Sequence, residues 1–271
     1  MTVTPRWPRQ RLGSLYRQVL SWLDAVALLA WGLLLTRKYF TGGLALLIHP
    51  NYFLLVLVAG LLLLALGSIL LAQRWMQWRS APTTAQAAGE LQHITLFPLG
   101  VGTLLLLSAA LLGLMIPPRI LGSEAAIQRG ITEMNLPYTQ TQVQSFYNQT
   151  KPEERSLLDW VRTLNAYPEP DAYAGQAANI SGFVVHSDSL PRNYLLIARF
   201  TIACCAVDAS PIGLPVRLLG DRDQYPPDTW LQITGTMATE TLAGQRQLVI
   251  TLTSPEDIEE IPTPANPYES R

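Results

Sequence analysis

Long apolar runs dominate the first part of the chain. Residues 52–72 and 96–116 each contain 21 residues without a charged side chain, and about 20 apolar residues suffice to cross the hydrocarbon layer of a bilayer. The run at 19–36 is apolar apart from Asp24 and ends at a basic pair. The pattern therefore predicts three membrane-spanning helices in a transmembrane domain of residues 1–118.

The surroundings of the first run refine this expectation. Asp24 lies near one end of the run, where its carboxylate can reach headgroup water, so a snorkelling side chain is favoured over a functional intramembrane acid. No small-residue cleavage site follows before Arg37, which favours a retained signal anchor over a removed signal peptide. Residues 39–53 are too short to cross again and contain Gly42, Gly43 and Pro50, which predicts an interfacial or re-entrant segment.

Composition and charge support a membrane protein with two unlike halves. The chain is 49% apolar and only 14% charged, which is unusual for a soluble protein. Up to residue 119 it has nine Lys or Arg and two acids, and from residue 120 onward it has ten Lys or Arg and eighteen acids. The basic residues that flank the runs favour an internal N-terminus, three membrane passes and an extracytoplasmic C-terminal domain.

The hydrophobic period changes to two in the C-terminal half. Residues 119–149 are typical of a linker with some helix, and Thr150 and Glu153 then predict the capped start of a helix. The candidate strands are 177–186, 194–205, 215–219, 230–238 and 247–253. Five short strands predict a small all-β domain, an OB-like five-stranded barrel with a preceding helix at residues 150–262, or alternatively a five-stranded sandwich fragment, followed by a tail at 263–271.

Two glycines interrupt the candidate strands. Gly182 lies in ANISGFVV and Gly235 lies in WLQITGTMA, and a glycine inside a strand is typical of a bend or bulge in a barrel. Small barrels often bind nucleic acid, but the acidic balance of this half and its predicted external location argue against a phosphate backbone as the ligand.

The only two cysteines of the chain are neighbours, Cys204 and Cys205. If the strand at 194–205 is unbroken, alternation places Cys204 in the apolar core row and Cys205 on the more polar face beside Arg199. A disulfide between them is disfavoured, because adjacent α-carbons lie about 3.8 Å apart whereas disulfides usually span about 4.4–6.8 Å. A strained vicinal bridge would suit a labile switch.

Metal binding is a second interpretation of this segment. Cys204, Cys205 and Asp208 offer soft and carboxylate ligands for zinc or copper(I), and His186 could complete a site if the turn folds back, although neighbouring thiols on a strand point apart. His49 is expected on the same side of the membrane and could extend the site. Asp208 also fits a structural role, either as the cap of its turn or as the partner of Arg199.

Several segments resemble a bacterial family of uncharacterised membrane proteins, the YcgQ-like family. The resemblance is carried by IHP, IPPRILGSEAAIQRG, LLDWV, ISGFVV, ARFTIACCAVDASPIGLPV and PANPY. It implies a bacterial plasma-membrane protein that serves as a subunit of a two-component membrane permease complex, beside a separate polytopic permease. The family more often has an aromatic residue at the position of His186, which weakens a ligand role for that histidine.

The sequence contains no recognisable catalytic apparatus. It has no glycine-rich phosphate loop, Ser-His-Asp order or CxxC pair, and only three histidines, so an enzyme is not expected. Three helices are also too few for an ordinary alternating-access pathway. We therefore expect a non-catalytic accessory subunit of a transport complex without a cofactor, in which Arg199, His49 and His186 are candidates for substrate or partner contact. The alternatives are an extracytoplasmic soft-metal or thiol-redox protein and a structural scaffold.

Overall fold

The computed structural model describes residues 9–79, 100–131 and 151–270. The chain divides into two compact units, one made of Met1–Leu44 and Asn51–Pro118 and the other made of Ala45–Pro50 and Arg119–Arg271. The first unit is helical, and the second contains the β-strands. The short segment Ala45–Pro50 thus belongs to the β unit, although it lies between two helices of the first unit in the chain.

The helical unit contains α1 (Arg9–Phe40), α2 (Phe53–Arg79) and α3 (Val101–Met115). The predicted span 19–36 lies within α1, and the predicted span 52–72 lies within α2 except for Tyr52, which ends a 3-10 turn. Residues 96–99 of the third span lie outside the described residues. Within the described ranges, the segment Pro50–Arg79 is long and apolar enough to cross a membrane. α3 has 15 residues, fewer than the roughly 20 that a span requires. One helix therefore indicates membrane association, where the sequence pattern predicted three.

Glycines allow α1 and α2 to approach closely. Gly60 and Gly67 are buried on α2, and a Cβ added at Gly67 would lie 2.8 Å from the Cγ of Leu29. A Cβ added at Gly32 on α1 would lie 2.7 Å from the Cγ of Leu64. Small residues at such a contact are characteristic of helix packing in lipid, where van der Waals contact between helices replaces the hydrophobic effect.

Polar groups join α1 to α3 within the same unit. The indole N–H of Trp31 donates to the carbonyl of Leu106 at 2.9 Å, and the hydroxyl of Thr103 donates to the carboxylate of Asp24. Asp24 thus has a hydroxyl partner on a neighbouring helix, a contact that the apolar pattern of the run did not reveal. The outward side of α2 is apolar, with exposed leucines at 54, 55, 61, 62 and 66.

Seven strands form one mixed sheet in the second unit, as far as the described residues extend. They are β1 (Ala177–Val185), β2 (Tyr194–Ile202), β3 (Ser210–Arg217), β4 (Trp230–Leu242), β5 (Gln245–Thr251), β6 (Ile258–Glu260) and β7 (Tyr268–Ser270). β1 pairs with both β2 and β4, β2 pairs with β3, β3 pairs in parallel with β5, and β5 pairs with β4. These pairings close a ring of five strands, and β6 and β7 extend it at β4 and β2.

In the described part of this unit, two helices accompany the strands, α4 (Ser123–Gln128) and α5 (Leu157–Ala166). The predicted cap of α5 at Thr150 lies outside the described residues, and residues 152–154 form a separate 3-10 turn. α5 begins after Ser156, whose hydroxyl accepts the backbone N–H of Asp159 while the Asp159 carboxylate accepts the backbone N–H of Ser156. This reciprocal capping box fixes the start of α5 at Leu157, four residues after Glu153.

Both faces of β2 are buried. Leu195 and Ile197 pack with Trp160 of α5 in one apolar cluster, whereas Phe200 packs with Tyr268 of β7 in a second cluster that also receives α4. The prediction that only the row containing Phe200 forms the core is therefore wrong. The row that contains Leu195 and Ile197 is buried because α5 covers it. The row that contains Phe200 is buried because α4 and β7 cover the opposite face.

Candidate metal centre

The loop after β2 begins earlier than strand alternation predicts. β2 ends at Ile202, and the carboxylate of Asp208 accepts the backbone N–H groups of Ala203 at 3.2 Å and Cys204 at 2.7 Å. These bonds turn the chain into a short 3-10 segment, Ala206–Asp208. Asp208 thus caps its turn, the first of the two structural roles that the sequence suggested.

The loop places both cysteines outside the core. Cys204 is exposed and Cys205 is half-buried, and neither forms a disulfide. The prediction that Cys204 is a buried apolar residue is wrong, because the strand ends two residues before it and the face assignment does not extend into the turn.

The two thiols converge with a carboxylate. The Sγ of Cys204 donates to the Sγ of Cys205 at 3.6 Å, so the expectation that neighbouring thiols point apart is also wrong. The two sulfurs and a carboxylate oxygen of Asp208 all lie within 4.8 Å of one another. Two sulfur ligands and one oxygen ligand on a single loop form a set that zinc or another thiophilic ion can bind.

Two distant parts of the β unit hold this loop in place. The Arg129 guanidinium at the end of α4 donates to the carbonyls of Ala206 and Ala209. From the segment Ala45–Pro50, the backbone N–H of His49 donates to the Cys204 carbonyl at 3.0 Å, and the Leu47 carbonyl accepts the N–H of Ala206 at 2.8 Å. The thiol loop, residues 203–209, is therefore held by a guanidinium from one part of the β unit and by backbone hydrogen bonds from another.

The two thiols differ in acidity. Hydrogen bonds to the Asp208 carboxylate and to Cys205 raise the pKa of Cys204 to about 12, because both favour the protonated thiol. Backbone N–H groups, first that of Val207, lower the pKa of Cys205, and the Cys204 thiol assists. Burial raises the pKa of Asp208, but hydrogen bonds from the Cys204 thiol and from the amides of Cys204, Ala203 and Cys205 outweigh it, so the pKa of this carboxyl is lowered.

The acidity difference predicts unequal alkylation. In a Cys204→Ser variant, Cys205 retains the amide of Val207, and in a Cys205→Ser variant, Cys204 retains the Asp208 carboxylate. At pH 7 we expect iodoacetamide to label the first variant at least about tenfold faster, because the thiolate is the reacting form. Mass spectrometry of the intact chain between pH 6 and pH 9 measures both rates. Equal rates across this range would contradict the assignment of the two thiols.

Arg199 and His186 lie in other environments. Arg199 forms an ion pair with Glu269 at 2.7 Å, donates to the carbonyl of Asn266 and has its guanidinium carbon 5.4 Å from the ring centroid of Trp230. Its pairing with Asp208, proposed from the sequence, is therefore replaced by a pairing with β7. The Nε2 of His186 lies 2.9 Å from the carbonyl of Tyr225, and His186 does not belong to the thiol cluster.

His49 contacts the thiol loop through its backbone N–H, and the residue is 95% buried. Its neighbour Ile48 forms a β-bridge with Cys205. Sequence reasoning missed Leu47 and Arg129 as supports of the loop. Arg129 is 77 positions from Ala206, and no local periodicity signals a contact over that separation.

Comparisons with known proteins agree with the resemblance noted in the sequence. Residues 138–269 match the DUF1980 C-terminal domain. The UPF0703 protein YcgQ of Bacillus subtilis (strain 168) is 28% identical over 106 residues, which are 38% of this chain and 37% of YcgQ. The match thus spans little more than a third of that relative. No solved structure matches the chain. These two matches support a YcgQ-like family for this chain, and the match to the DUF1980 C-terminal domain covers residues 138–269.

Proposed function

We propose that this protein is a membrane-associated, non-catalytic accessory subunit that captures a soft metal ion in its β unit. The observation that carries the proposal is the convergence of the Cys204 and Cys205 sulfurs with the Asp208 carboxylate within 4.8 Å. Thiolates select zinc, copper(I) and related ions over magnesium and calcium, which prefer oxygen ligands. The exposed position of Cys204 gives an ion direct access from solvent.

The proposal is tested by metal analysis of the full chain, purified in detergent under reducing conditions. We expect one bound zinc or copper ion per chain after loading and desalting, and none in the Cys204→Ser, Cys205→Ser double variant. Asp221→Asn is the matched control, because Asp221 also caps a 3-10 turn by accepting the N–H of Asp223 but has no cysteine beside it. Binding by the double variant, or no binding by the wild type, refutes metal capture.

The strand ring supports an OB-like barrel. A five-stranded ring that closes through β1 and β4, with β3 and β5 parallel, agrees with the small, partly open Greek-key barrel of that class. On this proposal α5 packs its apolar side, including Trp160, on the cluster that contains Leu195 and Ile197. The thiol loop joins β2 to β3 at the rim of the ring.

We further propose three passes through a bacterial plasma membrane with the β unit outside the cytoplasm. The support is the run at 19–36 within α1, the outward leucines of α2 and the apolar character of α3. A tag at the C-terminus should be cleaved by protease added to cells stripped of their outer layers, and a tag at the N-terminus should be protected. The reverse result excludes this orientation.

The transport role rests on a companion permease, as the resemblance implies. Exposed leucines on α2 and α3, for example Leu54, Leu62 and Leu105, offer surface to lipid or to helices of a larger membrane partner. Purification in mild detergent should recover a polytopic protein in stoichiometric amount. Recovery of this chain alone, at a protein concentration at which it remains folded, argues against the accessory-subunit role while leaving metal capture untouched.

A further inference from the structure

We infer that the thiol loop is preorganised for a tetrahedral Zn²⁺ ion with one coordination position left for an exchangeable ligand. This inference rests on the proposed metal capture and decides which ion and which geometry the site favours. It follows from the separation of the two sulfurs, the reach of the Asp208 carboxylate and the exposure of the loop.

The sulfur separation fits a tetrahedral angle. With the two Sγ atoms 3.6 Å apart and zinc–sulfur bonds of about 2.3 Å, the S–Zn–S angle is about 103°. This value is close to the roughly 109° of a tetrahedron. An ion that binds two thiolates in a line at the same bond length would hold its sulfurs about 4.6 Å apart. Linear copper(I) coordination therefore requires the loop to open, whereas zinc does not.

Asp208 supplies the third ligand without losing its structural role. A tetrahedral zinc ion holds a carboxylate oxygen about 3.5 Å from each sulfur, given zinc–oxygen bonds of about 2.0 Å. In the structure the carboxylate oxygen lies within 4.8 Å of each sulfur, so a shift of at most about 1.3 Å completes the contact. Each carboxylate oxygen has two lone pairs, so the bonds from Ala203 and Cys204 can persist beside the metal.

The fourth position is what makes the site suited to transfer. Among residues 9–79, 100–131 and 151–270, the ligand cluster consists of Cys204, Cys205 and Asp208, and Cys204 faces solvent. Structural zinc sites are closed by four protein ligands, whereas sites with three protein ligands keep a position for water or another molecule. An accessory subunit that passes its ion to a partner requires such a position, because the acceptor ligand can bind before the first thiolate leaves.

Zinc capture displaces protons in a balanced step. Each thiol that binds loses its proton to solvent as its S–Zn bond forms, and the Asp208 carboxylate binds as the anion. All but one of the water molecules of the hydrated ion leave as the coordination becomes tetrahedral, and the last water stays at the exchangeable fourth position. No electron is transferred, so the step requires no oxidant or reductant.

Cobalt(II) substitution tests the geometry directly. The full chain in detergent, reduced and metal-free, is titrated with Co²⁺ and then with Zn²⁺ while the visible spectrum is recorded. We expect intense tetrahedral ligand-field bands and thiolate-to-cobalt charge transfer at one Co²⁺ per chain, both abolished by one Zn²⁺. A small monodentate nitrogen ligand such as imidazole should shift the bands without removing the ion. Asp208→Asn should weaken Co²⁺ binding at least about tenfold, and the Asp221→Asn control should not.

The outcomes separate this inference from the proposed function. Copper(I) binding at one ion per chain, without any tetrahedral Co²⁺ spectrum, overturns the zinc geometry and leaves soft-metal capture intact. Weak, octahedral-type bands contradict the tetrahedral geometry. A spectrum unaltered by imidazole contradicts the exchangeable fourth position. Failure of Co²⁺, Zn²⁺ and copper(I) alike overturns both proposals. The wild-type spectrum alone decides the geometry, so the conclusion does not depend on the folding of a variant.

Discussion

Replacing Arg199 with methionine should destabilise the β unit by about 3–5 kcal/mol. The guanidinium and the Glu269 carboxylate meet at 2.7 Å, and their side chains are only 15% and 13% exposed. Methionine removes the charge partner but leaves Glu269 buried without it, and an uncompensated buried charge is costly. The change also removes the guanidinium that lies over the Trp230 ring, a smaller contribution.

A double-mutant cycle measures the coupling. Urea unfolding of the full chain in detergent, followed by tryptophan fluorescence, should show that Glu269→Gln added to Arg199→Met recovers much of the lost stability, since no lone charge is then buried. Arg192→Met is the matched control, because Arg192 also pairs with a carboxylate but is 69% exposed, so its loss should stay below about 1 kcal/mol. Additive losses in the double variant would show that the Arg199–Glu269 pair is not a coupled unit.

The strand content of the β unit could be predicted because its signals are local. Alternation and turn residues located β1 to within one residue at its end and the first residue of β4, although β4 continues to Leu242, four residues beyond its predicted end. Glycines marked the irregular positions within both strands. In the structure, β1 changes its pairing from β4 to β2 around Phe183, and β4 changes from β1 to β5 around Thr236. Gly182 and Gly235 each precede one of these changes by a residue. A changeover between partners brings a third backbone close, which is why glycine is needed there.

The face assignment of β2 failed for a non-local reason. Alternation distinguishes two faces but does not say which is covered when both are apolar enough to be buried. Here α5 covers one face, and β7 with α4 covers the other. β7 begins at Tyr268, 66 residues after the last residue of β2, and the sequence pattern assigned that region to a tail. Local alternation therefore could not predict the pairing of β7 with β2, which covers the second face.

The candidate site was located by residue type but not by geometry. The cysteine pair and Asp208 could be identified from their chemistry and spacing, and the turn role of Asp208 follows from a local rule. The same rule ends the strand before Cys204. The two thiols then lie in a turn, where strand alternation does not make them point apart. No local signal predicts the hydrogen bonds of His49 and Leu47 to the thiol loop. The sequence pattern assigns Ala45–Pro50 to the membrane region, and the segment joins the β unit through tertiary contacts.

The second large effect is expected at Gly182, where alanine should cost about 3 kcal/mol. A Cβ at this position would lie 2.5 Å from the carbonyl oxygen and 3.1 Å from the carbonyl carbon of Ala198. Both atoms belong to the backbone of β2, which is fixed by its pairing with β3, so no side chain can rotate away. The overlap must be relieved by separating β1 from β2, which weakens the ring and the packing of Phe183 on Phe200.

Gly220→Ala provides the comparison that isolates this effect. A Cβ there would meet the side-chain amide of Gln224 at 3.0 Å, the mobile end of a flexible side chain, and the position is exposed. We expect its free energy of unfolding to change by less than about 1 kcal/mol, in part because alanine restricts the unfolded chain. Urea midpoints of both variants in the full chain supply the test. Equal, small effects at the two glycines would mean that β1 and β2 can separate at little cost, and the closed ring would then have to be reconsidered as an open sheet.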